Sequence, residues 1–292
     1  MFPRSRERSV RCQRSPAEGH AAGGRGCPYP LNHPCGSGSP VLPRPRGEQQ
    51  AAYPAPMSNA VLPVDPADAG QTVTVERREG PHGEVVLRRR GPHFEIIANG
   101  CFLMDTSDGR SERLLVRAAL DELGERDRPR LLIGGLGVGF SLVEAAHEPR
   151  WGRITVVERE AAILDWHRTG PLSAVSGEAL ADTRTELVEA DLVEYVHEAR
   201  AAGRHFDALC LDVDNGPDWT VTEDNTGLYS PAGLAACRAA LAPGGILAVW
   251  SAQPSERFEG CLRNAGFCRV RTDEIPVARG VPDVVHFAAR PA

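Results

Sequence analysis

"LLIGGLGVGF", residues 131–140, carries an apolar run straight into a turn holding four glycines. A buried strand, a Gly-rich turn and a helix start are the parts with which α/β proteins bring backbone N–H groups up to a ligand. Gly134, Gly135, Gly137 and Gly139 permit positive φ and close backbone approach. Their spacing bears on the cofactor. A dinucleotide fingerprint reads G-x-G-x-x-G, whereas Gly135-Leu136-Gly137 is followed by Val138-Gly139, so the third glycine falls one position early. The spacing argues against NAD.

Downstream of this turn, strand and helix patterns alternate. The strands are "RLLIGG", "RITVVE", "TELVEA", "FDALCLD" and "GILAVWS", with helical spacing near 139–147, 160–168, 191–201, 230–241 and 255–265. Near-continuous apolar strands between helices predict βαβ units and a parallel sheet buried on both faces. Two last extended runs, "CRVRTDEIPV" and "PDVVHFAAR", joined through "ARGVP", predict an antiparallel hairpin closing the sheet edge. The fold expected is α/β, doubly wound, with a mostly parallel seven-stranded sheet. Upstream, "TVTVERR", "GEVVLRRR", "HFEIIANG" and "CFLMD", separated by Gly-Pro or Asn-Gly signals, predict a small N-terminal antiparallel β unit. "SERLLVRAALDEL" (111–123) then reads as a helix with Ser111 as its N-cap.

The first 56 residues differ from all the rest. They are dense in Pro, Gly, Arg and Ser and lack apolar periodicity, so they cannot bury enough surface to offset ordering entropy. The division expected is therefore a disordered tail or misassigned upstream start over 1–56 (with Met57 as the natural first residue), a β unit over 57–110 and the α/β domain over 111–292. A formal net charge of −6 over 292 residues gives no electrostatic grip on nucleic acid or an anionic membrane. No apolar run approaches the roughly 20 residues of a membrane-spanning helix. Eight cysteines with no C-x-x-C spacing point to a reduced, cytoplasmic compartment and no metal cluster. The chain contains no lysine, which reads as codon bias rather than as a binding device.

Chemistry concentrates at the strand ends. Glu158 closes the second strand, nineteen residues after Gly139, where an acid is placed to accept from both hydroxyls of a bound ribose. Asp191, after the third strand, is placed to cap the following helix or to accept from an adenine amine. The fourth strand runs into "LCLDVDNGPDW" (209–219), delivering Asp212, Asp214 and Asn215. A Gly turn and three strand-end acids in series, each where an open sheet binds ligand, point to an adenosine-containing cofactor.

These residues resemble the class I S-adenosylmethionine-dependent transferases, and within them the spermidine synthase-like group. The likeness covers about residues 71–292 and rests on "IGGLGVG", "VVERE", "EADLVEYV", "FDALCLDVDNGP" and "GLYSPAGLAACRAALAPGGILAVW". The resemblance implies that Gly134–Gly139 hold the methionine-derived part of the donor, Glu158 the ribose and Asp191 the adenine. It implies that Asp212 is the catalytic aspartate facing the attacking amine, with Asp214 in support and Asn215 and Tyr229 lining the acceptor pocket. Departures fall on the amine half. The group's Gly turn carries an aspartate where Gly137 stands, its hairpin a glutamine about where Leu103 stands, and its second site aspartate is here Asn215. The acid–tyrosine motif is missing from "TSDGRSERLL".

Two donors stay open on this reading. With decarboxylated S-adenosylmethionine the chain is an aminopropyltransferase acting on a small amine; with S-adenosylmethionine it is a methyltransferase. A third reading is a non-catalytic nucleoside-binding member of the fold. The resemblance also implies a homodimer formed through the β unit.

Overall fold

Strand pairing follows the hydrophobic pattern closely. The computed structural model describes residues 71–221, 225–276 and 281–292. The expected tail over 1–56, the start at Met57, Cys12, Cys27, Cys35 and most of the "ARGVP" connection lie outside the described residues. Four strands come first: β1 (Thr72–Gly80), β2 (Gly83–Arg90), β3 (His93–Ala98) and β4 (Cys101–Asp105), an antiparallel meander. Helix α1 (Arg110–Leu123) leads into the second sheet. Its elements are β5 (Arg130–Gly134), α2 (Phe140–His147), β6 (Arg153–Glu158), α3 (Ala161–Arg168), α4 (Ser173–Ala181), β7 (Thr185–Glu189), α5 (Leu192–Ala201) and β8 (Phe206–Leu211). The rest are α6 (Thr226–Tyr229), α7 (Pro231–Ala240), β9 (Leu241–Ser251), α8 (Glu256–Asn264), β10 (Cys268–Ile275) and β11 (Asp283–Ala289).

The second sheet has seven strands in the order β10-β11-β9-β8-β5-β6-β7. Strands β7, β6, β5, β8 and β9 are parallel, while β11 pairs antiparallel with β9 and β10 with β11. From β5 the chain moves outward to β6 and β7, then returns to β8 on the other flank. Right-handed crossovers therefore put helices on opposite faces for the two directions. Packing shows it: alternate side chains along each strand enter different cores. Leu131, Ile133, Ile154, Val156, Ala208 and Cys210 join the core under α1 to α4. Leu132, Val157, Leu209, Leu211, Leu247 and Val249 join the core under α5 to α8. Leu131, Leu132 and Ile133 are fully buried, and each contributes about 1.5–3 kcal/mol.

The small sheet adds Val85, Leu87, Phe94 and Ile96 to the first of these cores, so it is packed into the same compact unit. Polar ties reinforce this, with Trp166 Nε1 donating to Glu76 at 2.7 Å and Arg78 paired with Asp165 at 2.6 Å. The short helices α4 and α6 do not stand out in the sequence pattern. Cys210 and Cys237 are buried, Cys101, Cys261 and Cys268 partly so, and all five are free thiols. No helix among the described residues is long and apolar enough to cross a membrane.

Candidate active site

Strand order reverses between β5 and β8, and a crevice outside the carboxyl ends of the strands is expected at such a reversal. The Gly turn lies there, held from several sides. Gly134 O accepts from Asp212 N at 2.9 Å, and Gly135 N donates to Val157 O at 2.9 Å, so the turn is pinned between β8 and β6. Gly135 has φ +90°, and a Cβ there would lie 2.3 Å from the carbonyl oxygen of Asp212. No other residue allows that approach. A Cβ at Gly137 would lie 2.3 Å from Met104 Sδ, which reaches over from β4 and accepts from Val138 N at 3.1 Å.

His167 supports the turn from below. Its Nε2 lies 2.8 Å from Gly137 O and its Nδ1 2.6 Å from Ser176 Oγ. A carbonyl only accepts, so Nε2 carries the proton and Nδ1 accepts from the serine hydroxyl. Burial pushes the imidazole down to about 4, so it is neutral at physiological pH.

Glu158 ends β6 fully enclosed. Its Oε2 accepts from Leu136 N at 2.9 Å and its Oε1 from Glu160 N at 2.9 Å. Each oxygen of a carboxylate has a second lone pair, so two further donors, such as a pair of vicinal hydroxyls, can still be met. Burial pushes this carboxyl up against the pull of those two amides. Asp191 is the N-cap of α5, accepting from Val193 N at 2.8 Å and Glu194 N at 3.1 Å through Oδ1. Its neighbour Leu192 packs over Gly134, where a Cβ would meet Leu192 Cδ2 at 2.4 Å.

Asp212 leaves β8 next to the turn. Burial chiefly, and then the charges of Glu112 and Asp283, push its carboxyl well above the usual range. Those two acids are tied together by Ser111. Helix α1 starts at Arg110 behind Gly109, so Ser111 lies inside the first turn and is not the N-cap that its position suggests. Its buried hydroxyl lies 2.9 Å from Glu112 Oε2 and 2.9 Å from Asp283 Oδ2, the latter 172 positions away in sequence. Burial above all pushes Glu112 up to about 7 and raises Asp283. Among the described residues no basic side chain forms an ion pair with Asp212, Glu112 or Asp283.

The loop after Asp212 is braced. Asp214 takes φ +56° and accepts from Asn225 Nδ2 at 2.7 Å. Asn215 is buried and its carbonyl accepts from Ala252 N at 3.2 Å. Tyr229 is buried, donates to Val213 O at 3.3 Å and meets the Phe258 ring edge-on at 5.6 Å. Burial first, then Asp214 and Asp212, raise its phenol. Trp219 stands 51% exposed, and Asp218 is paired with Arg257 at 2.5 Å.

The structure thus joins the Gly turn, Glu158 and Asp212 by direct hydrogen bonds, sets Asp191 at the adjoining helix start and places Tyr229 beneath the Asp212–Asp214 backbone. Sequence reasoning passed over Met104, Glu112, His167 and Asp283. Nothing local marks them, because each meets the site only through the topology.

This geometry can be set against known proteins. No family model matches the chain. Among curated proteins, the polyamine aminopropyltransferase of Mycobacterium tuberculosis (strain H37Rv) is 30% identical over 146 residues, 48% of this chain and 27% of that protein. That of Prochlorococcus marinus (strain MIT 9301) is 27% identical over 157 residues, 53% of this chain and 52% of that protein. The matched stretches thus span about half or less of these relatives. A spermidine synthase solved in complex with the transition-state analogue AdoDATO superposes with a TM-score of 0.61 at 18% identity, covering 74% of this chain and 73% of that one. The fold is that of the spermidine synthases. The spermidine synthase of Thermotoga maritima gives a TM-score of 0.59 at 18% identity, over 74% and 72% of the two chains. The strand order 3-2-1-4-5-7-6, counted from β5, and the small preceding sheet thus belong to a fold similar to that of these two spermidine synthases.

Proposed function

We propose that this chain is an aminopropyltransferase that moves an aminopropyl group from decarboxylated S-adenosylmethionine to a small amine. The observation that carries the reading is Asp212. It sits at the end of β8, hydrogen-bonded through its backbone to the Gly turn, with the charges of two further acids acting on it and, among the described residues, no basic side chain paired to any of the three. Such a place suits an ammonium group. The curated relatives named polyamine aminopropyltransferase support the same activity.

The residues present fit such a donor. Glu158 keeps one free lone pair on each oxygen for the ribose hydroxyls, and Asp191 keeps Oδ2 for an adenine amine while Oδ1 caps α5. The donor's sulfonium supplies the carbon to be transferred and a good leaving group, so the chain's part is to position reactants and take a proton. An aliphatic ammonium has a pKa of about 10.4 and cannot attack until it loses a proton. A carboxylate whose basicity is raised by burial and by Glu112 and Asp283 is a better acceptor for that proton than a solvated one. Asp214 and Tyr229 hold the Asp212 backbone in place, and Asn215 borders the acceptor's path.

Calorimetry with both donors tests the reading. Tighter binding of the decarboxylated form is expected; preference for intact S-adenosylmethionine overturns it in favour of methyl transfer, and binding of neither overturns both. With donor and a panel of amines, Asp212→Asn is expected to lose about 10²- to 10⁴-fold in turnover while keeping donor affinity. Undiminished turnover would remove Asp212 from the mechanism.

A further inference from the structure

Ser111 carries one hydroxyl proton, yet its Oγ lies 2.9 Å from Glu112 Oε2 and 2.9 Å from Asp283 Oδ2. A hydroxyl donates one hydrogen bond, and an ionised carboxylate only accepts. Both contacts are hydrogen bonds only if one carboxyl is protonated and donates to Oγ while Oγ donates to the other. Glu112 is also met by its own backbone N–H and Asp283 by the Trp250 indole, but with both ionised the two buried charges would still have only the one hydroxyl proton between them, in a site where Ser111 is 4% and Glu112 8% exposed. The charged groups facing the trio do not relieve this. They are Asp212 from the end of β8, and Asp108 and Arg113 flanking and within the start of α1. The Arg113 guanidinium lies over the Phe140 ring, 4.3 Å from its centroid. From α2, Ser141 Oγ donates to the backbone carbonyl of Glu112 and leaves its carboxyl untouched.

We propose that Glu112, Ser111 and Asp283 share a single proton at neutral pH, and that this proton sets the charge on Asp212. Two ionised neighbours would oppose ionisation of Asp212; the shared proton withdraws one of them. Asp212 is then the carboxylate that meets the substrate ammonium. In the transfer step the amine nitrogen bonds to the donor carbon, the carbon–sulfur bond breaks with its electron pair left on sulfur, and the nitrogen's surplus proton goes to Asp212. The proton on the trio is not consumed. Glu112 is a positioning residue, acting through Asp212. The shared proton is a property of the fold, whereas its effect on turnover rests on the aminopropyl-transfer reading.

The experiment separates the two. Infrared titration of the full chain in an Asp212→Asn background, which removes that carboxyl from the spectrum, is expected to show one protonated carboxyl at pH 6. It should titrate near pH 7 and vanish when Glu112→Gln is added. Asp283→Asn, which removes a neighbouring charge and leaves Glu112 buried, should lower the pH at which the same signal titrates and serves where Glu112→Gln does not fold. No protonated carboxyl assignable to either residue at pH 6 overturns the proposal. In the otherwise unaltered chain the trio gains a second negative charge above pH 7, and Glu112→Gln removes that step, so the parent's kcat profile should show an inflection near pH 7 that the variant lacks. An inflection kept in the variant, with the infrared signal present, would overturn the link to Asp212 alone. An infrared signal in a protein that binds neither donor would leave the shared proton standing and remove the function.

Discussion

Gly135→Ala is the sharpest test of how the site is built. At φ +90° an L-residue is strained by about 1–3 kcal/mol whatever its surroundings. Its Cβ would also lie 2.3 Å from the carbonyl oxygen of Asp212, a backbone atom with no rotamer to escape into. Relief requires the turn to part from the end of β8. That motion strains the Asp212 N to Gly134 O bond or the Gly135 N to Val157 O bond, each 2.9 Å and each worth about 1 kcal/mol net. The sum is about 2–4 kcal/mol, which in a domain of this size lowers Tm by about 5–15 °C. A displacement of about 1 Å between the turn and Asp212 should cost on the order of 10² in turnover. Gly177 is the internal control. It lies within α4, a Cβ there meets nothing within 4 Å, and Gly177→Ala should raise stability by up to about 1 kcal/mol. Thermal melts of both variants, with turnover measured alongside, decide the matter. A Gly135→Ala protein that melts with the parent and keeps its turnover would refute the reasoning.

Two further outcomes follow from the supports of the site. His167 is held neutral, its folded value of about 4 lying below the unfolded value of about 6.5. Stability is therefore full above pH 6.5 and falls as the pH drops toward 4, by about 3 kcal/mol in total. Urea unfolding between pH 7 and 4 should show that slope, and a His167→Gln chain that keeps all of it would assign the loss to other groups. At Asp191, Asp191→Ala should cost about 0.5–2 kcal/mol by uncapping α5, and Asp191→Asn should recover most of it. Donor binding that drops in Asp191→Asn, with stability restored, would separate adenine contact from capping; unchanged binding would leave only the cap.

The architecture was legible because it rests on short-range patterns. Continuous apolar runs such as Leu131–Ile133 and Leu209–Leu211 can be satisfied only by a sheet covered on both faces, and the Gly turn marks where its first strand ends. The starts of α2, α3, α5, α7 and α8 were legible to within a residue for the same reason, whereas α4 and α6 were not foreseen and α1 begins ahead of Ser111. There an N-cap residue type stands one turn position inside the helix because its hydroxyl is committed to tertiary partners. Glu158 and Asp212 were visible as strand-end acids. Glu112, Asp283 and Met104 were not, since a helix acid, a strand-initial acid and a strand methionine are common on any surface or core. The meaning of Met104 and Asp283 lies in contacts spanning 34 and 172 positions, and that of Glu112 in the Asp283 that Ser111 brings to it, none of which a local window contains.

The hydrogen bonds of the turn bear on the same question as the spacing of its glycines. A phosphate-binding turn works by leaving backbone N–H groups free to point at an anion. Here Gly135 N goes to Val157 O, Leu136 N to Glu158 Oε2, Val138 N to Met104 Sδ and Gly139 N to Leu136 O. Among the described residues, Gly137 alone of these five amides has no hydrogen-bond acceptor. The group that takes up Leu136 N behind the turn is accordingly the buried Glu158 carboxyl, an acceptor, with Asp212 leaving β8 next to the turn. A pyrophosphate would meet negative charge and almost no donors, whereas a nucleoside bearing hydroxyls and a cationic centre would meet acceptors. The same packing joins two features that look separate in sequence. An acid at position 137 would begin with a Cβ in contact with Met104 Sδ at 2.3 Å, so the glycine there and the methionine on β4 are one arrangement. Any attempt to restore an aspartate at Gly137 must therefore move Met104 first, and with it the acceptor for Val138 N.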